Sequence, residues 1–472
     1  METVLVSTST FEKGIAKAVD VEKSNGIPVS TSEMSISPPE SGLVVEDTEL
    51  GDLCPEDDEG AVEYKWCLSN PSADRFAQLV TQLNFRLMEG HGECLYELGV
   101  EDCGRKRGLN EEKMSASLRT LQKMASQLGA ETQVLTEGAG REGKVAQVLV
   151  RRVPGSLEEY LDLRVCVAGN VDSGKSTLVG VLTGNGELDN GRGKSRQLVM
   201  SHKHELESGR TSKVAIEVLG FSAAGNIVNY SGLRPLSWSD VVQRSAKLVT
   251  FYDLAGHERY LKTTMFGMTA HVADYCMLVV GANMGVLRMT KEHLCIALAL
   301  RMPVFVVITK VDLAPEHIKE QTITHLQKLL KSPSAKKIPV IVRDEETLAM
   351  CAQNIVNDRI VPFFVISNVT GEGLGYLRSF LNIIQPRKDW TEFKSQPAEF
   401  SIDEIFTVPG VGTVVAGTTV SGSVSAGQVL ALGPDSSGHF TKVQVKSVHY
   451  KRTPVKKVVA GEAGSFAFKK KK

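Results

Sequence analysis

The run Gly169-Asn170-Val171-Asp172-Ser173-Gly174-Lys175-Ser176 is a complete G-x-x-x-x-G-K-S segment, and its flanks restrict the fold more than any other part of the chain. Ahead of it, residues 163–168 are apolar and β-branched-rich and read as a buried strand. Behind it, Thr177-Leu178-Val179-Gly180-Val181-Leu182 opens a helix. A strand, a glycine loop and a helix in that order curl backbone N–H groups around a triphosphate, and the helix N-terminus adds the positive end of its dipole. Lys175 would then reach the β- and γ-phosphates, and the Ser176 hydroxyl would ligate Mg²⁺. A glycine-rich turn that binds nothing is the plain alternative, and the strand-before, helix-after setting weighs against it.

Strand and helix patterns continue to alternate on both sides of this loop. Between about 160 and 386, strands are expected at 163–168, 247–253, 275–281, 303–309 and 362–366, with helices near 177–183, 289–301, 314–331 and 373–383. Such alternation predicts an α/β domain with a doubly wound, mainly parallel sheet. Residues 61–155 read as a small α+β domain: strands at 63–68, 94–99, 132–135 and 145–153, a helix over 73–89, and a second helix capped by Asn110. A polar linker at 385–397 leads to Val-, Thr- and Gly-rich runs with turns every eight to twelve residues, so 398–472 is expected to form a β-barrel.

The formal charge of −1 hides an asymmetry. Residues 1–60 carry fourteen acidic residues against three lysines, which leaves +10 on residues 61–472. With so little apolar surface, 1–60 is expected to be a disordered acidic tail. The mildly basic remainder permits an RNA or phosphate-rich partner without demanding one. The eight cysteines form no C-x-x-C pair and no Cys/His cluster at metal-ligand spacing, so reduced core thiols in a cytoplasmic protein are expected. No run of 18 apolar residues occurs, which argues against a membrane span.

Four elements after the glycine loop narrow its ligand. The strand 247–253 ends in Asp253 and is followed by Leu254-Ala255-Gly256-His257. Asp253 can hold the Mg²⁺ shell, Gly256 can give its N–H to the γ-phosphate, and His257 stands where an imidazole orients the attacking water. Next, Thr309-Lys310-Val311-Asp312 follows a buried strand. The Asp312 carboxylate can accept from guanine N1–H and N2 together, a pair adenine lacks, which discriminates by about 1–3 kcal/mol. Lys310 would lay its stem across the base. Ser367-Asn368-Val369 ends another strand where a loop would close over that base. The last element is Glu205-Leu206-Glu207-Ser208-Gly209-Arg210-Thr211, in which Thr211 could ligate Mg²⁺; Ser212 has the same chemistry.

These five elements in this order resemble the translational GTPases of the elongation factor Tu and elongation factor 1-alpha kind. A closer resemblance is to the GTP-binding protein 1 and GTP-binding protein 2 family. Tyr96-Glu97-Leu98-Gly99-Val100-Glu101-Asp102, Gly186-Glu187-Leu188-Asp189-Asn190-Gly191-Arg192-Gly193 and Ile366-Ser367-Asn368-Val369-Thr370-Gly371-Glu372 carry it. The resemblance implies GTP hydrolysis with Mg²⁺, a cytoplasmic role in translation or ribosome-associated mRNA quality control, and a ribosome, tRNA or mRNA, or the RNA-decay machinery, as partner. A non-catalytic scaffold that holds GTP is the alternative; a P-loop ATPase or kinase is disfavoured by Asp312. Three departures stand out. Thr309 replaces the Asn of N-K-x-D, so an amide bracing loop and base is expected to be lost, with GTP preference kept and affinity weakened. Residues 221–246 look like an inserted hairpin or loop. The family continues into a second barrel, whereas this chain ends in Phe468-Lys469 and three more lysines, so either a truncated product or a missing third domain is expected.

Overall fold

In the computed structural model, residues 52–389 form one compact unit, and residues 1–51 with 390–472 form another. The described residues are 4–7, 53, 55–57 and 60–469, without 156–159, 201–204, 206–210, 212, 213, 233, 271, 358 and 436. Most of 1–60, for which disorder is expected, lies outside them, as does Ser212. One strand there is described, β1 (Val4–Ser7), and it belongs to the second unit.

The larger unit starts with β2 (Val62–Lys65), α1 (Ala73–Glu89), β3 (Glu93–Leu98), α2 (Glu111–Gln127), β4 (Ala130–Ala139) and β5 (Lys144–Arg152). Asn110 caps the second helix as expected, its Oδ1 accepting the Lys113 N–H, and Ser72 Oγ caps the first by accepting the Arg75 N–H. The sheet runs β2-β3-β5-β4, with β2 and β3 parallel and the other pairs antiparallel. β3 is buried along its whole length. Strand alternation sends Cys94, Tyr96 and Leu98 into a core with Leu83, Leu87, Leu121 and Met124. Leu95, on the opposite face, joins Leu149 in a different core that continues through the α/β layers.

Those layers comprise β6 (Leu161–Gly169), α3 (Lys175–Thr183), β7 (Ala215–Phe221), β8 (Tyr230–Ser231), β9 (Arg234–Pro235), α4 (Trp238–Arg244), β10 (Lys247–Asp253), α5 (Leu261–Ala270), β11 (Tyr275–Gly281), α6 (Arg288–Ala299), β12 (Val304–Thr309), α7 (Glu316–Leu330), β13 (Ile338–Ile341), α8 (Glu345–Asn354), β14 (Ile360–Val365) and α9 (Leu374–Ile383). The sheet order is β13-β14-β12-β11-β6-β10-β7, parallel throughout except where β7 runs against β10. Within the expected insert, β8 and β9 form a short hairpin, and α4 follows it. Val241 and Val242 of α4 bury against Val218 and Leu248, which makes this helix part of the packed structure.

The second unit holds α10 (Thr391–Lys394), β15 (Glu399–Val408), β16 (Gly412–Ser421), β17 (Ser423–Ser425), β18 (Val429–Gly433), β19 (Thr441–Tyr450), β20 (Thr453–Val455), β21 (Lys457–Val459) and β22 (Ala463–Phe468). Its ring is β18-β1-β15-β16-β22-β19, closed by pairing of β18 with β19. β1 alone pairs parallel with its neighbours. No helix among the described residues is long and apolar enough to cross a membrane.

Candidate nucleotide site

At the C-terminal end of β6 the chain turns sharply into α3, with Asp172 and Gly174 both in left-handed backbone conformation at φ 59 and φ 88. That turn walls a pocket together with Lys175, Ser176 and Thr177. Val171, Asp172, Gly174, Thr211, Gly256, His257 and Lys310 complete the expected part of the lining. Gly256 has to be glycine here: a Cβ would lie 2.5 Å from Lys175 Nζ and 2.7 Å from the Asn170 carbonyl carbon.

Beneath the pocket three oxygen-bearing side chains meet. Ser176 Oγ donates to Asp253 Oδ2 at 2.5 Å and lies 2.9 Å from Thr211 Oγ1. Asp253 is fully buried at the end of β10, and its Oδ1 has no hydrogen-bond partner. Burial pushes its carboxyl up to about 6, against the pull of Lys175. The same burial lowers the Lys175 ammonium, which Asp253 and Asp172 oppose, and Nζ donates to the Asn170 carbonyl at 2.8 Å. Hydroxyl and carboxylate oxygens around an unpartnered buried carboxylate atom fit a small hard cation, so Ser176, Thr211 and Asp253 suit Mg²⁺.

Leu254 and Ala255 are buried behind the pocket, and Thr264 Oγ1 pins the Ala255 carbonyl at 2.8 Å. His257 accepts the Arg259 N–H on Nδ1 at 3.1 Å. In the neutral ring the proton therefore sits on Nε2, which makes that nitrogen a donor toward water.

On the base side, Ser367 Oγ donates to Asp312 Oδ1 at 2.7 Å and so links two loops 55 residues apart. Lys310, at φ 59, lines the pocket, whereas Asp312, Ser367 and Asn368 are not on its wall. The loop half of the expected loss of bracing at Thr309 does not occur. Its Oγ1 donates to the Ser173 carbonyl at 2.6 Å, because a hydroxyl at the end of β12 reaches the glycine loop.

Four contributors were not foreseen from the sequence. Arg196 and Met200 line the pocket. Asp189 accepts the N–H groups of Gly191, Gly193 and Ser195 at 2.9–3.1 Å and shapes the turn that carries Arg196. His293 of α6 is buried and accepts the Gly169 N–H on Nδ1 at 3.0 Å; burial and then Lys175 depress it to about 4. Asp189 lies within the family-like run 186–193, but nothing in the sequence joins residues 196 or 293 to residue 169.

The elongation factor Tu GTP-binding domain family matches residues 162–387. GTP-binding protein 1 of Xenopus laevis is 50% identical over 413 residues, 87% of this chain and 62% of its own length. GTP-binding protein 2 of Homo sapiens is 46% identical over 424 residues, 88% of this chain and 70% of its own length. A crystal structure of a bacterial selenocysteine-specific elongation factor aligns at a TM-score of 0.45 with 22% identity, covering 65% of this chain and 42% of that one. With an elongation factor Tu-type GTPase domain as its centre, the chain belongs to the family of GTP-binding proteins 1 and 2.

Proposed function

We propose that this chain is a Mg²⁺-dependent GTPase switch that hydrolyses GTP to GDP and phosphate in the cytoplasm. In this reading it works with a ribosome or with tRNA or mRNA, in translation or ribosome-associated mRNA quality control. The observation that carries the chemistry is the meeting of Ser176, Thr211 and Asp253 under a glycine loop whose pocket also holds Lys175 and His257. Backbone amides from 170 to 177 and the Lys175 ammonium bind the phosphates. Mg²⁺, held by Ser176 and Thr211 with Asp253 behind them, would neutralise charge on the β- and γ-oxygens. The Nε2–H of His257 orients the attacking water, and Gly256 N–H meets the γ-phosphate. Asp312 accepts from guanine N1–H and N2, with Ser367 Oγ donating to Oδ1 and fixing the carboxylate.

The partner assignment draws on family membership and on the basic balance of residues 61–472. Competition between GTP and ATP for the purified chain, followed by GTP turnover with and without ribosomes, tests both parts. A strong GTP preference and ribosome-stimulated turnover are expected, and His257→Ala should keep GTP affinity while slowing turnover about 10²-fold or more. Equal affinity for ATP would overturn the base assignment.

A further inference from the structure

Three basic residues line the pocket among the described residues: Lys175, Lys310 and Arg196. The first two have parts in the phosphate and base readings; Arg196, half-buried, has none yet. Its backbone is built into the wall. Asp189 gathers the N–H groups of Gly191, Gly193 and Ser195 just ahead of it, and the Arg196 carbonyl accepts those of Val199 and Met200 at 3.1 Å. A Cβ on Gly180 of α3 would stand 2.7 Å from the Ser195 carbonyl carbon and 3.4 Å from Arg196 N, so this turn is pressed against the helix behind the glycine loop. Ser176 and Gly180 lie about one turn apart on one face of that helix. Arg196 therefore approaches the pocket along the face that carries the Ser176 hydroxyl, which meets Thr211 and Asp253. A Cβ on Gly193 would stand 2.7 Å from Arg196 Nε and 3.0 Å from Cζ, so the guanidinium lies against a glycine that leaves it room. Neighbouring Lys194 pairs with Glu187 at 3.0 Å. The Arg196 guanidinium, by contrast, has no hydrogen bond or ion pair among the described residues.

A planar fork of N–H donors, uncommitted and held beside a phosphate loop, suits an anion that presents several oxygens. The side of the pocket it shares with Ser176 and Thr211 is the one that faces the β- and γ-phosphates in the reading above. We propose that Arg196 is a further catalytic residue, an arginine supplied in cis whose guanidinium donates to the γ-phosphate and to the β–γ bridging oxygen of bound GTP. In hydrolysis the water oxygen bonds to the γ-phosphorus while the bond to the bridging oxygen breaks. That bond's electron pair stays with GDP, and the water proton leaves with the released phosphate. Negative charge grows on the bridging oxygen, where a fixed cation stabilises the transition state more than the ground state. This assignment rests on the guanine triphosphate reading above and adds to it a charge-stabilising group outside the glycine loop.

The test compares native full chain with Arg196→Ala and Arg196→Lys. Affinities for GTP and GDP come from displacement of a fluorescent GDP, and hydrolysis is followed in a single turnover at saturating GTP. Arg196→Ala should weaken GTP about tenfold, the scale of one charge-assisted hydrogen bond, and GDP less than about threefold. Its hydrolysis rate should fall about 10²-fold. Arg196→Lys should recover most of the GTP affinity but little of the rate, because a point charge does not reproduce the fork. Millimolar guanidinium chloride, far below denaturing concentrations, should raise the rate of Arg196→Ala and leave native protein unchanged. Urea midpoints without nucleotide check folding. GTP and GDP weakening by one common factor would overturn the proposal, since the contact would then lie elsewhere on the nucleotide. So would a fall in rate matched by a lower urea midpoint and left without rescue by guanidinium. Native protein that neither prefers GTP to ATP nor hydrolyses it sinks the underlying reading as well. A native chain that does both, with a silent Arg196→Ala, sinks this assignment alone.

Discussion

Two of the clusters of buried charge within the larger unit differ in how completely the chain answers them. At the junction of β3, β5, β10 and α9, Arg151 and Lys247 flank Glu93. Arg151 reaches Asn382 through its side-chain oxygen at 2.9 Å and its carbonyl at 2.8 Å; Lys247 reaches the carbonyls of Asn382 at 2.8 Å and Ile384 at 2.5 Å. Both oxygens of Glu93 are engaged. At the nucleotide site, by contrast, Asp253 Oδ1, Ser173 Oγ and Asn368 Oδ1 are buried and unpartnered. Charge that is satisfied within the chain holds elements together; polar atoms left over at a glycine loop mark where a ligand belongs.

The sharpest way to break this contrast is Glu93→Ala. It strands two buried cations, so a loss of about 3–5 kcal/mol in urea unfolding is expected. A loss under about 1 kcal/mol would make the junction no different from surface pairing.

A smaller effect comes from pH. Burial depresses Lys247 from 10.5 to about 8, with Glu93 opposing. Between those values the unfolded chain binds the extra proton, so this group's contribution to stability rises as pH climbs from about 8 toward 10.5. The difference in stability between native protein and Lys247→Met should change by roughly 1–3 kcal/mol over that window. A flat difference would refute a buried titrating ammonium.

Asp253→Asn should have the smallest effect on the nucleotide-free fold, within about 1 kcal/mol and in the stabilising direction, because it removes a carboxylate that burial disfavours. The same variant should lose Mg²⁺-dependent GTP affinity, measured by titration with and without the metal. Destabilisation as large as that of Glu93→Ala would erase the distinction between the two clusters.

Contiguous signals were the legible ones. The glycine loop, the strand end at Asp253 and the turn after Thr309 each place their residues through local backbone geometry, and β6, β10, β11, β12 and β14 follow from largely apolar runs. Both β7 and β13 are edge strands; β7 was missed because Glu217 and Gly220 interrupt its apolar run, and β13 because it is only four residues long and carries Pro339. The docking of β3 was invisible for another reason. Glu93 and Lys247 look like solvent-facing charges in their own strands, and nothing local joins residues 154 positions apart. At Thr309 the sequence shows only a missing amide, and the hydroxyl's reach to Ser173 depends on how closely β12 approaches the glycine loop.

The turn at Asp189 has a consequence for how the site behaves as a whole. Its main-chain N–H holds the loop that carries Asn368, while its carboxylate gathers the amides leading to Arg196 at the pocket rim. One residue thus acts as a tie-rod between the loop after β14 and the pocket wall at Arg196. Under the proposed function, a shift at either end is carried to the other, which couples the choice of base to the geometry in which phosphate is handled.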